Sequence, residues 1–270
     1  MKILDGKKLS KKILSNLKKK AKKKKLKLAV VLVGNDLSSE IYVQKKREAC
    51  EKIGIGFKLY KFPLGINKPR LKKEVEKIGR KPENSGVVIQ LPLPDGFEPQ
   101  EFLNLVPPEK DIDILSETNI GKFYAGSLPV FPPPVEAIRR ILKEYKISIK
   151  SKNIVLIGAG RLIGRPLALW LLKEEATISI AGSFTKDIAF LAKEADIIVS
   201  GVGAPNLITD KMIKRGAVII DAGTFRKRGK LTGDFDFKKV SKKAGYITPV
   251  PGGIGPVTVA CLLENLVKLN

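Results

Sequence analysis

The chain has 270 residues, 43% of them hydrophobic, with 51 Lys and Arg against 27 Asp and Glu, no histidine and two cysteines. The absence of histidine excludes a Ser-His-Asp triad, a Cys-His pair and any His-containing zinc site, so no metal centre is expected and proton transfer falls to Lys, Tyr, Asp, Glu or water. The formal charge of +24 favours anionic partners such as nucleic acid, phosphorylated cofactors or polycarboxylates; no stretch is apolar enough for a membrane span or a signal-peptide core, which predicts a cytoplasmic protein. Cys50 and Cys261 form no CxxC and read as two small buried side chains.

Helix and strand alternate from end to end. A basic amphipathic helix over about Leu9 to Lys24 has its apolar stripe at Leu9, Ile13, Leu14 and Leu17, and the run "LKKKAKKKKLKL" reads as its solvated end or as a nucleic-acid contact. "LKLAVVLVG" predicts a buried strand ending at Gly34. "SSEIYVQKKREACEKIG" follows as a helix capped by Ser38 or Ser39 and stopped by Gly54. "IGFKLYKF" alternates as a strand does, and "NKPRLKKEVEKIG" predicts a helix with Asn67 as cap, Pro69 in its first turn and Gly79 as its end. "GVVIQLPLP" is a buried strand with a Pro-rich exit. "VFPPPVEAIRRILKEY", Val130 to Tyr145, forms the passage to a second α/β series. That series has strands in "NIVLIGAG", "ATISIAG", "DIIVSGVG" and "GAVIIDAG", with helices in "RLIGRPLALWLLKE" and "KDIAFLAKEA". The closing "VTVACLLENLVKL" is a helix packing back on the first domain. The expectation is two α/β domains across a cleft, the second a Rossmann-like parallel sheet.

Four stretches carry chemistry. In "VLIGAGRLIGRP" a Val/Ile strand enters a tight turn at Gly158 and Gly160, with Gly164 early in the next helix; small residues there let backbone N–H groups and the helix dipole meet a pyrophosphate. The following strand ends at Ser183 where an acidic ribose reader is usual, leaving room for a ribose phosphate met by Ser183, Arg161 or Lys186. In "VIQLPLP", Gln90 puts an amide at the carboxyl edge of a parallel sheet, either as a ligand contact or to satisfy a local backbone group. "PPEKDIDILSETNIG" holds Asp111 and Asp113 in a Pro-flanked loop, as acceptors for an amino-substituted heterocycle or as turn-stabilising carboxylates. "YITPVPGGIGPVTVA" is a stiff loop suited to a flat ligand laid against backbone.

In this order, with "VGNDLSSEIYVQKKREACEKIGI", "ADIIVSGVGAP" and "GDFDF", these stretches resemble the bifunctional methylenetetrahydrofolate dehydrogenase/cyclohydrolase family, over almost the whole chain. The resemblance implies a folate-binding catalytic domain over 1–135, completed by 250–270, and a dinucleotide-binding domain over 136–249. It implies oxidation of methylenetetrahydrofolate with NADP, or NAD, then hydrolysis of the methenyl product to formyltetrahydrofolate, in one-carbon metabolism and purine biosynthesis. A cytoplasmic homodimer is expected. By the same resemblance Lys46 is the catalytic lysine, Tyr42 packs on the pterin, Gln90 tunes Lys46, and Asp113 holds the pterin's amino group and ring nitrogen. Ile89, Leu91, Pro251, Gly252, Gly253, Ile254 and Gly255 fall at folate positions. Gly158, Ala159, Gly160, Arg161, Gly164, Ser183, Val202, Gly203, Gly223 and Thr224 fall at dinucleotide positions.

The residues agree with that reading. Tyr42 and Lys46, four apart, share one helix face, and burial beside other cations lowers a lysine's pKa. The chain departs from the family at the Arg-Ser pair after the first glycine, here Ala159-Gly160; at the Asp-Gly of the pterin loop, here Asp113-Ile114; at the Thr-Pro of the interdomain helix, here Pro134-Val135; and at a His or Cys, here Ala181 and Gly182. Two rival readings are an enzyme keeping one of the two activities and a basic nucleic-acid-binding protein on the same fold.

Overall fold

The computed structural model describes residues 1–227 and 230–270. In chain order the elements are β1 (Lys2–Ile3), α1 (Gly6–Lys22), β2 (Lys27–Val33), α2 (Leu37–Ile53), β3 (Gly56–Phe62), α3 (Lys68–Arg80), β4 (Gly86–Ile89), α4 (Pro99–Leu103), α5 (Glu117–Ala125) and α6 (Pro133–Glu144). They continue with β5 (Asn153–Ile157), α7 (Gly164–Lys173), β6 (Thr177–Ala181), α8 (Ile188–Glu194), β7 (Ile197–Ser200), β8 (Val218–Asp221), β9 (Phe225–Lys227), β10 (Lys230–Thr232), α9 (Phe237–Val240), β11 (Tyr246–Ile247) and α10 (Ile254–Leu269). Two compact units result, one of Met1–Ser10 with Pro134–Thr258 and one of Lys11–Pro133 with Val259–Asn270. Among the described residues no helix is long and apolar enough to cross a membrane.

The smaller sheet, in the unit of Lys11–Pro133 and Val259–Asn270, has the order β3-β2-β4 and is parallel throughout. β2 reads KLAVVLV with six successive buried residues, as a central parallel strand covered on both faces must. One face, Ala29, Val31 and Val33 with Val87 and Ile89, packs on Leu71, Val75 and Ile78 of α3 and on Phe102 and Leu103 of α4. Those α3 residues recur at four and three, the helical stripe that drives the packing. In α1, Ile13, Leu17 and Ala21 are buried beneath exposed Lys18, Lys19, Lys20 and Lys22, the arrangement of a solvated helix face. Cys50 and Cys261 are both buried and are not joined in a disulfide.

Helix ends differ from expectation in two places. α2 is capped by Asp36, whose carboxylate accepts from the Ser39 backbone N–H at 2.7 Å, rather than by Ser38 or Ser39. A carboxylate accepts from the first-turn donors and its charge also complements the helix dipole. At the far end Gly54, at φ 79°, forms the left-handed cap expected of it. α3 starts at its Asn67 cap but runs through Gly79 to Arg80. Gly79 is a packing glycine instead of a stop, since a Cβ there would lie 2.7 Å from Pro107 Cδ. The helix-end carbonyls of Gly79 and Lys81 are met by the Lys110 ammonium at 2.9 and 2.8 Å.

The larger sheet, in the unit of Met1–Ser10 and Pro134–Thr258, is parallel with the order β1-β11-β8-β7-β5-β6. From β5 the chain goes first to β6 on one side and then to β7 on the other, so the strand order reverses at β5, where α/β sheets bind ligands. Its core joins Val155, Ile157, Ile198 and Ile219 to Ala192, Ile208, Phe235 and Ile247. β9 and β10 form an antiparallel pair beside it.

Met1–Ser10 and the stretch from 250 to 258 group with this sheet. β1 pairs in parallel with β11, and Leu4 N–H donates to the Ile247 carbonyl at 2.8 Å. Gly6 sits so close to Gly253 that any Cβ would overlap its carbonyl. A strand of two residues, Lys2 and Ile3, has no readable alternation, and its partner lies at the opposite end of the chain.

Candidate active site

In the unit carrying the smaller sheet the buried residues of α2 are Ser39, Val43, Lys46, Ala49, Cys50 and Ile53. The spacing is that of a core stripe, and Lys46 occupies a place in it where an apolar side chain belongs. Its ammonium donates to Gln90 Oε1 at 2.7 Å. Gln90 follows β4 directly, with its backbone N–H on the Val31 carbonyl at 2.9 Å and its side-chain Nε2 donating to the Leu91 carbonyl at 2.8 Å. That second bond fixes the amide so that its oxygen faces Lys46, the only orientation an ammonium accepts.

Burial lowers the Lys46 pKa, and the negative charge of Asp113 opposes the shift. Reciprocally, burial raises the Asp113 carboxyl, Lys46 holds it down and Asp111 pushes it up. The two groups therefore sense each other within one desolvated site. Burial also pushes the Cys50 thiol, one turn beyond Lys46, up to about 12, leaving it an inert apolar neighbour. Tyr42 is half-buried one turn before Lys46.

The two aspartates of the Pro-flanked loop divide the roles considered for them. Asp111 is the turn-stabilising one: its carboxylate accepts from Leu115 N–H at 3.1 Å, Ser116 N–H at 2.9 Å, Ser116 Oγ at 2.6 Å and Asn119 Nδ2 at 3.1 Å. Its backbone also bridges in parallel to Val87 of β4, which ties the loop to the sheet edge. Asp113 is left to face Lys46. Between them Ile112 gives its carbonyl to Asn265 Nδ2 of α10 at 3.0 Å. Ile114, where a glycine is usual in resembling sequences, takes φ 59° while being almost wholly buried. A β-branched residue in that region costs about 1–2 kcal/mol, which the burial of its side chain offsets.

The larger sheet carries the glycine turn. Gly158 has φ 100° and its N–H donates to the Ala181 carbonyl at 2.8 Å. Gly164 opens α7, where a Cβ would overlap the Gly158 carbonyl and lie 2.9 Å from Ala159 Cα. This is the close helix–strand approach that the third glycine of such a turn permits. Gly160 borders open space, and Ile163 caps α7 with no side-chain bond, while Arg165 N–H donates to the Gly160 carbonyl at 3.1 Å. A Cβ on Gly158 would stand 3.0 Å from Val202 Cγ2, which brings the β5 turn and the β7 loop side by side. Val202 is about half exposed. Ser183 is exposed in a turn closed by Gly182 N–H to Thr185 Oγ1 at 2.9 Å; Lys186 and Thr224 are exposed, and Arg161 is half-buried. Gly203 has φ 80°, and Gly223 lies where a Cβ would overlap the Asp234 carboxylate.

One unit thus gathers Lys46, Gln90 and Asp113, with Tyr42, Ile89 and Leu91 on the same elements. The other gathers Gly158, Ala159, Gly160, Gly164, Val202 and Gly203. Pro251, Gly252, Gly253, Ile254 and Gly255 lie in the latter unit, where Lys7 N–H donates to the Gly252 carbonyl at 3.0 Å. Sequence reasoning missed Asp221, Asp234, Ser200 and Thr248. Asp221 N–H donates to Thr248 Oγ1 at 2.7 Å, and the Asp221 carboxylate accepts from Asp234 N–H and Phe235 N–H, both at 3.1 Å. The only signal for Asp234 was the motif "GDFDF", which carries no role by spacing alone.

Residues 132–270 match the family model for the NAD(P)-binding domain of tetrahydrofolate dehydrogenase/cyclohydrolase, and residues 4–113 match the model for its catalytic domain. A bifunctional protein FolD of Hydrogenobaculum sp. is 42% identical over 272 residues, covering 99% of this chain and 98% of the relative. The crystal structure of a bifunctional FolD from Campylobacter jejuni superposes with a TM-score of 0.94 at 39% identity, covering 100% of this chain and 98% of that one. The Trypanosoma brucei enzyme, complexed with NADP cofactor and inhibitor, gives a TM-score of 0.93 at 32% identity, covering 99% and 96%.

Proposed function

This chain belongs to the tetrahydrofolate dehydrogenase/cyclohydrolase family, and on that premise we propose that it oxidises methylenetetrahydrofolate to the methenyl form and hydrolyses that form to formyltetrahydrofolate. The observation that carries this reading is the buried Lys46–Gln90 hydrogen bond with Asp113 acting on the same ammonium. Burial that lowers the Lys46 pKa makes its proton easier to release, which the hydrolytic step needs.

Each residue has a task. Asp113 accepts from the pterin's amino group and ring nitrogen and sets the folate's orientation; Tyr42 lies against the ring; Ile89, Leu91 and the 251–255 loop are further folate contacts. The hydride lost from the methylene carbon needs no protein base, only alignment. The turn at Gly158 and Gly160, onto which Gly164 lets α7 close, is the place for a dinucleotide pyrophosphate. Ala159, Gly160, Arg161, Ser183, Val202, Gly203, Gly223 and Thr224 complete that site. The dinucleotide is NADP, and its nicotinamide supplies the hydride acceptor. Water then adds to the methenyl carbon, losing a proton. The new hydroxyl then gives up its own proton to become the formyl carbonyl, with one proton released overall, as the ring C–N bond breaks and its nitrogen regains the first. Lys46, with its lone pair steered by Gln90, carries that proton.

The setting is cytoplasmic one-carbon metabolism feeding purine biosynthesis. The active form is a homodimer. Among the described residues β6 is an edge strand of its sheet, carrying exposed Ile180 and flanked by exposed Leu172, Phe184 and Phe190. Light scattering of the purified chain tests the dimer. Turnover of methylenetetrahydrofolate with NADP and with NAD on one preparation, followed by decay of the methenyl product, tests both activities. Absence of turnover with both dinucleotides overturns the reading.

A further inference from the structure

The Asp234 carboxylate holds the whole loop that leaves β7. Its Oδ2 accepts from Ser200 Oγ at 2.6 Å and Val202 N–H at 2.8 Å, and its Oδ1 accepts from Gly203 N–H at 2.8 Å and Ala204 N–H at 2.9 Å. Four donors from five consecutive residues converge on one carboxylate, a backbone nest of the kind that normally receives an anion. Here the anion belongs to the protein. It is fully buried, and Gly223 leaves no side chain between it and β8.

Asp234 is itself anchored. Its N–H donates to Asp221 Oδ1 at 3.1 Å, and its carbonyl accepts from Ile208 N–H at 3.1 Å. The next residue, Phe235, bridges in parallel to Ile208. The loop therefore rests on a rigid support, with Val202 turned outward beside Gly158 and Gly203 in the left-handed region.

We propose that Asp234 is a positioning residue for dinucleotide binding, fixing the Ser200–Ala204 backbone so that Val202 and Gly203 meet the cofactor beside the glycine turn. This rests on the reading that Val202 and Gly203 line the dinucleotide site. Asparagine at 234 keeps the shape but replaces one oxygen by an NH2 group, so either Val202 N–H or the pair from Gly203 and Ala204 faces a donor. The loop then shifts while the support beneath it stays.

The test uses the full chain carrying Asp234→Asn, Asp234→Glu and Ser200→Ala. In the dehydrogenase reaction Asp234→Asn is expected to raise the dinucleotide KM about tenfold or more, with the folate KM and the cyclohydrolase rate within about twofold of wild type, because hydrolysis uses no dinucleotide. Ser200→Ala removes one of the four bonds and is expected to raise the dinucleotide KM about two- to threefold. Asp234→Glu restores the charge but overreaches, and is expected to lie between wild type and Asn. An unchanged dinucleotide KM in Asp234→Asn overturns the inference, as does an equal fall in cyclohydrolase rate. If that variant fails to fold, an unchanged KM in Ser200→Ala overturns it. Calorimetric dinucleotide affinity, measured on the same proteins, decides the role of Asp234 even where wild type turns over no folate, an outcome that defeats the proposed function alone.

Discussion

The Lys46 ammonium meets the Gln90 side-chain oxygen at 2.7 Å inside the buried stripe of α2, and Gln90 is locked in that orientation by its own bond to the Leu91 carbonyl at 2.8 Å. A single buried cation is thus supplied with a neutral acceptor and a charge partner at a distance, Asp113, instead of a tight ion pair. A tight pair would hold the lysine charged; this arrangement lets burial win and lowers its pKa.

Replacing Lys46 by Met keeps the volume and removes the proton carrier. The cyclohydrolase rate is expected to fall by about 10²–10⁴-fold, the usual contribution of general acid–base catalysis, with hydride transfer retained to a greater extent. Urea unfolding is expected to change by less than about 2 kcal/mol, because lifting the desolvation of an ammonium offsets an orphaned Gln90 oxygen. Equal loss of both activities at unchanged stability would contradict the assignment of Lys46 to hydrolysis.

Gln90→Glu places a carboxylate on the Lys46 ammonium. An opposite charge at hydrogen-bond distance favours the charged lysine and raises its pKa. The limb of the cyclohydrolase pH–rate profile that reports Lys46 is expected to move to higher pH by about one unit or more. A limb that stays in place or moves to lower pH shows that another group is being titrated.

Ile114→Gly sets two effects against each other. Relief of the left-handed strain favours the variant by about 1–2 kcal/mol. Loss of a fully buried Ile side chain, together with the added freedom of glycine when unfolded, costs about 3–5 kcal/mol. The variant is expected to be less stable by about 2–3 kcal/mol in urea, while the Asp111 bonds to Leu115 and Ser116 hold the loop and keep the folate KM near wild type. A more stable variant would mean that strain dominates.

Asp221 makes stability depend on pH. Burial pushes its carboxyl up to about 7 against three backbone N–H donors, and neighbouring Asp234 adds to the rise. Unfolded, the same carboxyl titrates near ~3.9, so the folded state holds a proton that the unfolded state has released. The contribution is therefore fully present below about pH 4 and is lost as pH rises through 7. Compared with Asp221→Asn, which has no charge to bury, the stability of wild type is expected to decline by about 3 kcal/mol between pH 5 and pH 8. A difference that is constant over this range, or grows, contradicts the shift.

Much of this was legible in the chain itself. Helices and strands follow local periodicity: Leu71, Val75 and Ile78 mark the inner face of α3, and KLAVVLV marks a strand buried on both sides. The glycine turn announces itself through Gly158 and Gly164, because only glycine tolerates those backbone approaches. Even the abnormal place of Lys46 is written in the spacing of Ser39, Val43, Cys50 and Ile53 around it.

Tertiary structure decided what spacing cannot. Asp111 and Asp113 are equivalent in sequence, and only the parallel bridge to Val87 and the donors of Leu115, Ser116 and Asn119 turn one inward as a brace and leave the other for Lys46. β1 acquires its strand character from β11 at the far end of the chain, and Asp234 acquires its role from four donors in the loop after β7. Residue type and period specify what a segment offers to its neighbours. Which neighbour accepts is a matter of long-range contacts, and a hydrogen bond exists only once both partners have been brought to the same place.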